Sequence, residues 1–477
     1  VSARLRIGEV RRALGTRELG SAFEAREARG VSTDTRNLQQ GQLFFALSGP
    51  NFDGNQYARA AAQRGAAALV LRKDEQARAL AAELTQLPVL LHPDPRRALG
   101  ELAAWHRARL AIPVVGITGT AGKTTTKNMI VQLAGALRAT IGSEKSFNND
   151  IGVPLTLLRA DETTELLVVE IGTNAPGEIE ALCALARPTI GVVTGIGHGH
   201  LERLESLEGV AREKGALPAA LPADGLCVLN ADCRQHDYLA GRSRARVRTF
   251  SVEGDGDWNA QQLAFHAGGT SFDLRGMPVT LPLLGTHNVH DLLAALAVCC
   301  DGLGLPLERL LPGIAHLEGG RQRLERRELG GIALLDDTYN SNPESARAAV
   351  RVLAGMHGHT RRVLVLGDML ELGPLAPELH HQIGVEAARA GIDLVVLVGA
   401  LSRACAAGAL EGGLAPERVL HCADTAEAAA RVPALLAPGD LVLLKASRGM
   451  AFESIVNAIG ERRAPGRAGG GKELCLR

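Results

Sequence analysis

Short apolar runs, each ended by a charge or a turn residue, alternate along the chain with longer stretches in which Ala and Leu recur at helical spacing. That alternation predicts α/β units built on largely parallel sheets. In the first region QLFFALSG (42–49), AAALVLRK (66–73) and LPVLLHP (87–93) predict strands, and the turn-rich His92-Pro93-Asp94-Pro95 closes the unit. A helix around 96–110 opens the second region, followed by the strand PVVGI (113–117), a glycine loop and a helix from Thr124. LLVVEIG (166–172), IGVVTGIG (190–197) and GLCVLNAD (225–232) continue that sheet. Between about 246 and 284 the pattern turns alternating and Gly-punctuated, which predicts an antiparallel appendage ahead of a helix near His287. Past Gly319-Gly320 a third unit carries RRVLVLG (361–367), LVVLVG (394–399) and DLVLLKAS (440–447) between helical stretches, a small Rossmann-like sheet without a GxGxxG.

The expected organisation is α/β with three domains: 1–94, 95–319 and 320–460, then a Gly/Arg-rich tail at 461–477 expected to be disordered. Length agrees, since 477 residues make about three units at roughly 150 residues each. Aromatics are only 3% of residues, too few for the stacked rings of a single-stranded nucleic-acid platform. The 52 basic and 52 acidic side chains balance, so no global field gathers nucleic acid or an anionic membrane, and small-molecule partners are expected. The eight cysteines form no CxxC pair or Cys/His ladder, which argues against structural zinc and a disulfide framework. The first residues hold no apolar signal segment and charges interrupt every long apolar run, so a soluble cytoplasmic protein is expected.

The strongest local signal is VVGITGTAGKTTT (114–126), an apolar strand running into a glycine loop and then a helix. Bare backbone at Gly119 and Gly122 turns N–H groups toward phosphate oxygens, the helix N-terminus favours negative charge, and Lys123 adds a cation. The loop is shorter than the standard G-x-x-x-x-G-K-[ST], because position 117 is Ile. An incidental lysine in a Gly-rich turn is the alternative. Thr124 is placed to hold Mg²⁺, and Glu170, at the end of LLVVE, to complete its oxygen shell; a solvent-facing strand-end glutamate is the other possibility.

The loop TGTAGKTT (118–125) is joined by STDTR (32–36) with LFFALSG and Asp53-Gly54, SFNNDIGVPLTLL (146–158), DDTYNSNPES (336–345) with GDMLELG (367–373), and KASRGMAFE (445–453). In this order the blocks resemble the Mur ligase family from about residue 30 to about 458. The resemblance implies a substrate-binding N-terminal domain, a central P-loop ATPase-like domain and a C-terminal Rossmann-like domain, acting as a monomer with ATP and Mg²⁺. It implies a reaction in which the terminal carboxylate of a UDP-N-acetylmuramoyl-tripeptide attacks the γ-phosphate of ATP. The amine of D-alanyl-D-alanine then displaces phosphate from the acyl phosphate.

By the same resemblance, Gly119, Thr120, Ala121, Gly122, Lys123, Thr124 and Thr125 hold the triphosphate, and His287, Asn288 and Asp337 contact the nucleotide. Where the family carries a further Asn, this chain has Asp291. His200 would ligate a second metal, with His198 competing on sequence alone. Lys214, on its residues alone a solvated helix lysine, would carry a carbamate beside the metals. Arg321 would reach the γ-phosphate from the third domain, although RQRLERRE also reads as a basic linker. Ser32, Asp34, Thr35, Arg36 and Asp53 would bind the uridine diphosphate, with Asn55 where the family often has His. Asn148, Asn149 and Asp150 would hold the muramoyl peptide. Tyr339, Asn340, Asn342, Lys445, Ser447 and Arg448 would serve nucleotide or dipeptide, Lys445, Ser447 and Arg448 meeting its carboxylate. Lys123 and Glu170 do not separate these ligases from single-amino-acid-adding relatives or folylpolyglutamate synthetases; the 336–345 and 367–373 blocks favour dipeptide addition. A nucleotide-regulated binding module without chemistry is the reading from another class.

Overall fold

The computed structural model describes residues 2–16, 23–266 and 268–463. In the first unit Val31–Ser32, Leu43–Phe45, Ala68–Arg72 and Val89–His92 pair in that order, all parallel. Side chains alternate between the faces of this sheet. Phe44, Leu69 and Leu71 pack toward the helices Ala58–Gln63 and Glu75–Glu83, while Leu43, Phe45, Val70 and Leu90 face the other way. That second face shares one core with the helix Pro95–Arg107 and with Val114, Leu167 and Val169 of the central sheet. The helix starts sharply because Asp94 accepts from the backbone N–H of Arg96 and Arg97 and Pro95 needs no donor there.

The central sheet has seven parallel strands, in the order Trp258–Asn259, Arg246–Ser251, Leu226–Asn230, Ile190–Val193, Val114–Thr118, Leu166–Glu170 and Thr140–Gly142. Its middle strands are buried on both faces, which explains their unbroken apolar sequences. The antiparallel appendage is shorter than the expected 246–284. Arg246–Ser251 and Trp258–Asn259 are outer strands of the parallel sheet, and only Gln261–His266, Gly269–Leu274 and Met277–Leu281 form the antiparallel sheet. The alternation in RVRTFS arises because this strand lies near the sheet edge, half covered. Trp258 anchors the edge, fully buried, its indole N–H donating to Asp301 at 2.7 Å.

The third unit has six strands, ordered Glu325–Leu329, Ile332–Asp337, Asp440–Lys445, Arg361–Gly367, Leu394–Val398 and Val419–Cys422; only the first pair is antiparallel. One of its cores extends into the second region through Leu201, Leu204, Val210 and Leu284, so the two units meet over an apolar seam. The final helix, Glu453–Arg463, takes in the first residues of the expected tail, the rest of which lies outside the described residues. Among the described residues no helix is long and apolar enough to cross a membrane.

Candidate active site

The C-terminal ends of the central strands face the third unit across a cavity of about 920 Å³. The strand Val114–Thr118 delivers the chain into the loop, and the helix Lys123–Gly135 leaves it. Gly119 (φ +148°) and Gly122 (φ +84°) occupy backbone conformations that side chains rarely adopt. Space is also closed to them: a Cβ on Gly119 would lie 1.9 Å from Thr194 Oγ1, and one on Gly122 would lie 2.3 Å from Asp291 Oδ1. Lys123 folds back over the loop, donating from Nζ to the Gly119 carbonyl at 2.7 Å. Burial lowers its pKa, with the Glu170 charge opposing and the Arg323 charge adding to the shift.

Thr124 Oγ1 donates to Glu170 Oε2 at 2.8 Å, and Asn148 Nδ2 donates to the other carboxylate oxygen at 2.9 Å. Two hard oxygen donors at that separation suit adjacent positions of an octahedral shell with metal–oxygen distances of about 2.0–2.1 Å, so the pair fits Mg²⁺. Ser146 Oγ lies 3.1 Å from the same hydroxyl. The segment holding Ser146 and Asn148 is tied down by Lys127, whose buried ammonium donates to the carbonyls of Ser143 and Lys145 at 2.7 and 2.8 Å. Of the other residues expected here, Asn149 Oδ1 accepts from the backbone N–H of Ile151 and Gly152 just ahead of the helix Gly152–Leu157, and Asp150 forms a two-pronged ion pair with Arg96.

From the third unit it is Arg323, not Arg321, that reaches the phosphate loop. Arg323 donates to Thr124 Oγ1 at 2.9 Å and its guanidinium lies 4.2 Å from the Tyr339 ring centroid. Arg321 is exposed and does not line the cavity. The turn decides this: Gln322 and Leu324 both have left-handed backbone, and Leu324 is sunk into the third unit's core, which aims the residue between them at the loop. Deeper in the cavity Lys445, 2% exposed, donates to Asp337 Oδ2 at 2.6 Å and to the Asn340 carbonyl at 3.0 Å. Burial pushes the Asp337 carboxyl up, against the pull of the Lys445 charge. Asn342 serves as the N-cap of the helix Pro343–Gly355 in a capping box with Ser345. Ser447 Oγ accepts from Leu370 N–H at 2.9 Å, and the exposed Arg448 lies beside Tyr339 and Gln322.

Both histidines of GIGHGH line the cavity, and each meets a carboxylate of the third unit. His198 Nδ1 is 2.6 Å from Glu344 Oε1 and His200 Nδ1 is 2.7 Å from Glu371 Oε2. Burial, then the charge of Lys214, lowers the His200 pKa. Lys214 ends the helix Leu207–Lys214 and is 2% exposed; burial and the neighbouring Lys123 charge drive its pKa well below that of an ordinary lysine. His287 is pushed down to about 4 by burial and the Lys445 charge. Asn288 donates to Leu284 O at 2.7 Å, and His287 and Asn288 line the cavity with Asp232 and His290, themselves 2.7 Å apart.

The first unit's residues do not line this cavity. Ser32 ends its strand, and Asp34, Thr35, Arg36 and Asp53 follow the C-terminal ends of the parallel strands, where open α/β sheets take ligands. Asp34 holds Arg36 in a two-pronged ion pair and Asp53 pairs with Arg72 at 2.6 Å. The residues that reading the sequence missed include Arg323, Ser146, Lys127, Arg96, Glu344 and Glu371. Glu344 and Glu371 lie inside blocks already marked; Lys127 shows only as a lysine one helical turn after Lys123.

Comparison with known proteins gives a consistent result. Residues 27–107 match the Mur ligase family catalytic domain, 117–299 the Mur ligase middle domain, and 322–448 the Mur ligase glutamate ligase domain. The chain is similar to the UDP-N-acetylmuramoyl-tripeptide–D-alanyl-D-alanine ligase of Escherichia coli, 38% identical with 90% of this chain and 93% of that one covered. It is similar also to the ligase of that name from Bacillus subtilis, 35% identical over 91% of this chain and 93% of the other. The crystal structure of MurF from Acinetobacter baumannii superposes with a TM-score of 0.85 at 27% identity, covering 96% of this chain and 99% of that one. The chain belongs to the Mur ligase family of ATP-dependent, amide-bond-forming ligases.

Proposed function

We propose that this chain joins D-alanyl-D-alanine to a UDP-N-acetylmuramoyl-tripeptide in the cytoplasm, acting as a monomer, with units 1–94, 95–319 and 320–460 binding the UDP substrate, ATP and the dipeptide respectively. The observation that carries the reading is the hydrogen bond from Arg323 to Thr124, which sets the third unit's Lys445 and Arg448 around the same cavity as the phosphate loop. The tripeptide carboxylate attacks the γ-phosphorus, ADP leaves, and an acyl phosphate forms. The dipeptide amine then attacks the acyl carbon, loses a proton and expels inorganic phosphate.

Each step brings anions together, so the site must offset their repulsion. Lys123 and Arg323 place positive charge on either side of the transferred group. Thr124 and Glu170 would hold Mg²⁺, which supplies further neutralisation of the phosphates. Burial and the Lys123 charge lower the Lys214 pKa, which favours the uncharged amine that adds CO₂ and loses a proton to become a carbamate, an added carboxylate near His200. The test is phosphate release from ATP with the UDP-muramoyl tripeptide and a panel of amines. D-Alanyl-D-alanine should stimulate release strongly; stimulation by D-alanine alone would overturn the dipeptide assignment.

A further inference from the structure

Asp291 stands on the helix Thr286–Ala297, which packs against the helix leaving the phosphate loop. Its side chain covers the bare face of Gly122, the last glycine of the loop, closely enough that a Cβ there would lie 2.3 Å from Oδ1. The residue is 4% exposed and lines the nucleotide cavity. Thr126 Oγ1 donates to Oδ1 at 3.0 Å, and Oδ2 makes no hydrogen bond to a described residue. Among the described residues, the ionisable groups on the elements packed against it make no hydrogen bond or ion pair with it. Lys123 and Lys127 are on the opposing helix, His287 and His290 are on its own, and Arg323 acts on it through space. The adjacent strand's Arg248 is turned to Asp257 and Asp301, and Arg246 to the Asp301 carbonyl.

A bare carboxylate here would face the place where the loop gathers phosphate oxygens, and like charges at that range repel. A neutral carboxylic acid would instead be a donor, because its second oxygen carries a proton. We propose that Asp291 is a nucleotide-positioning residue that works as a neutral acid, donating from Oδ2 into the cavity, and that its ionisation weakens nucleotide binding. Burial supports this by pushing the Asp291 carboxyl up to about 7, with the Thr126 hydrogen bond and the Arg323 charge opposing. The sign follows: a raised acid is protonated below its titration and loses the donor, gaining a charge, as pH rises through it.

The inference rests on the nucleotide occupying the phosphate loop, and the experiment separates the two ideas. Affinity for ADP is measured by calorimetry from about pH 6 to about pH 9 for the wild type, Asp291→Asn, Thr126→Val and Lys123→Ala. The ratio of wild-type to Asp291→Asn dissociation constants cancels the ionisation of the nucleotide itself. It should rise about tenfold across this range, with its midpoint near neutrality. Thr126→Val removes a bond that favours the charged form, so its loss of affinity should begin at higher pH. A flat ratio, with binding still dependent on Lys123, overturns the role of Asp291 alone. ADP binding that survives Lys123→Ala, or fails in the wild type at every pH, overturns the loop assignment and this inference with it.

Discussion

Arg323 reaches Thr124 because its neighbours hold the backbone in a left-handed turn and Leu324 is fixed in the third unit's core. Three arginines lie within a few residues of it, and nothing in their charge distinguishes them; only the turn does. Arg323→Ala should lower kcat roughly 10²–10³-fold, the range for losing one donor aimed at developing charge. Arg321→Ala should leave it within about twofold, as befits an exposed side chain away from the cavity. Steady-state turnover of the two variants checks this, and the reverse order would return the role to Arg321. The shape of the glycine loop was legible in the sequence because backbone conformation and close neighbours force Gly119 and Gly122. The pairing of His198 and His200 with Glu344 and Glu371 was not, because it joins positions more than a hundred residues apart.

At the scale of elements, runs buried on both faces announced themselves, as in Val114–Thr118 and Leu394–Val398. Half-covered strands did not. Arg246–Ser251 looks antiparallel because one side is open, and the Glu325–Leu329 edge strand reads as a charged linker because four of its five residues are charged and Arg326, Arg327 and Glu328 are exposed. The helix Lys123–Gly135 does more than follow the glycine loop, since Lys127 on it secures the 143–148 segment, whose Ser146 and Asn148 contact Thr124 and Glu170. Lys127→Met keeps the aliphatic stem and deletes the ammonium, stranding two carbonyls. It should cost about 1–3 kcal/mol, seen as a lower melting temperature, together with reduced turnover. Unchanged melting and turnover would show that the segment is held by other means.

Across the whole molecule, two joints differ in kind. The first and second units share a continuous core through the helix Pro95–Arg107. The second and third meet over a smaller apolar seam and a polar set comprising Arg323–Thr124, His198–Glu344 and His200–Glu371. Such a joint suits opening and closing, and in this structure cations of both units, Lys123 with Arg323 and Lys445, lie around one cavity. The order of the motifs along the chain foretold three units, whereas the seam depends on Leu201, Leu204, Val210 and Leu284, ordinary apolar residues with no mark in the sequence. The account stands on the triphosphate lying between the loop and the third unit. A crystal structure with a nonhydrolysable ATP analogue should place the γ-phosphate within hydrogen-bonding reach of both Lys123 and Arg323. Density for the triphosphate anywhere else in the molecule would contradict it.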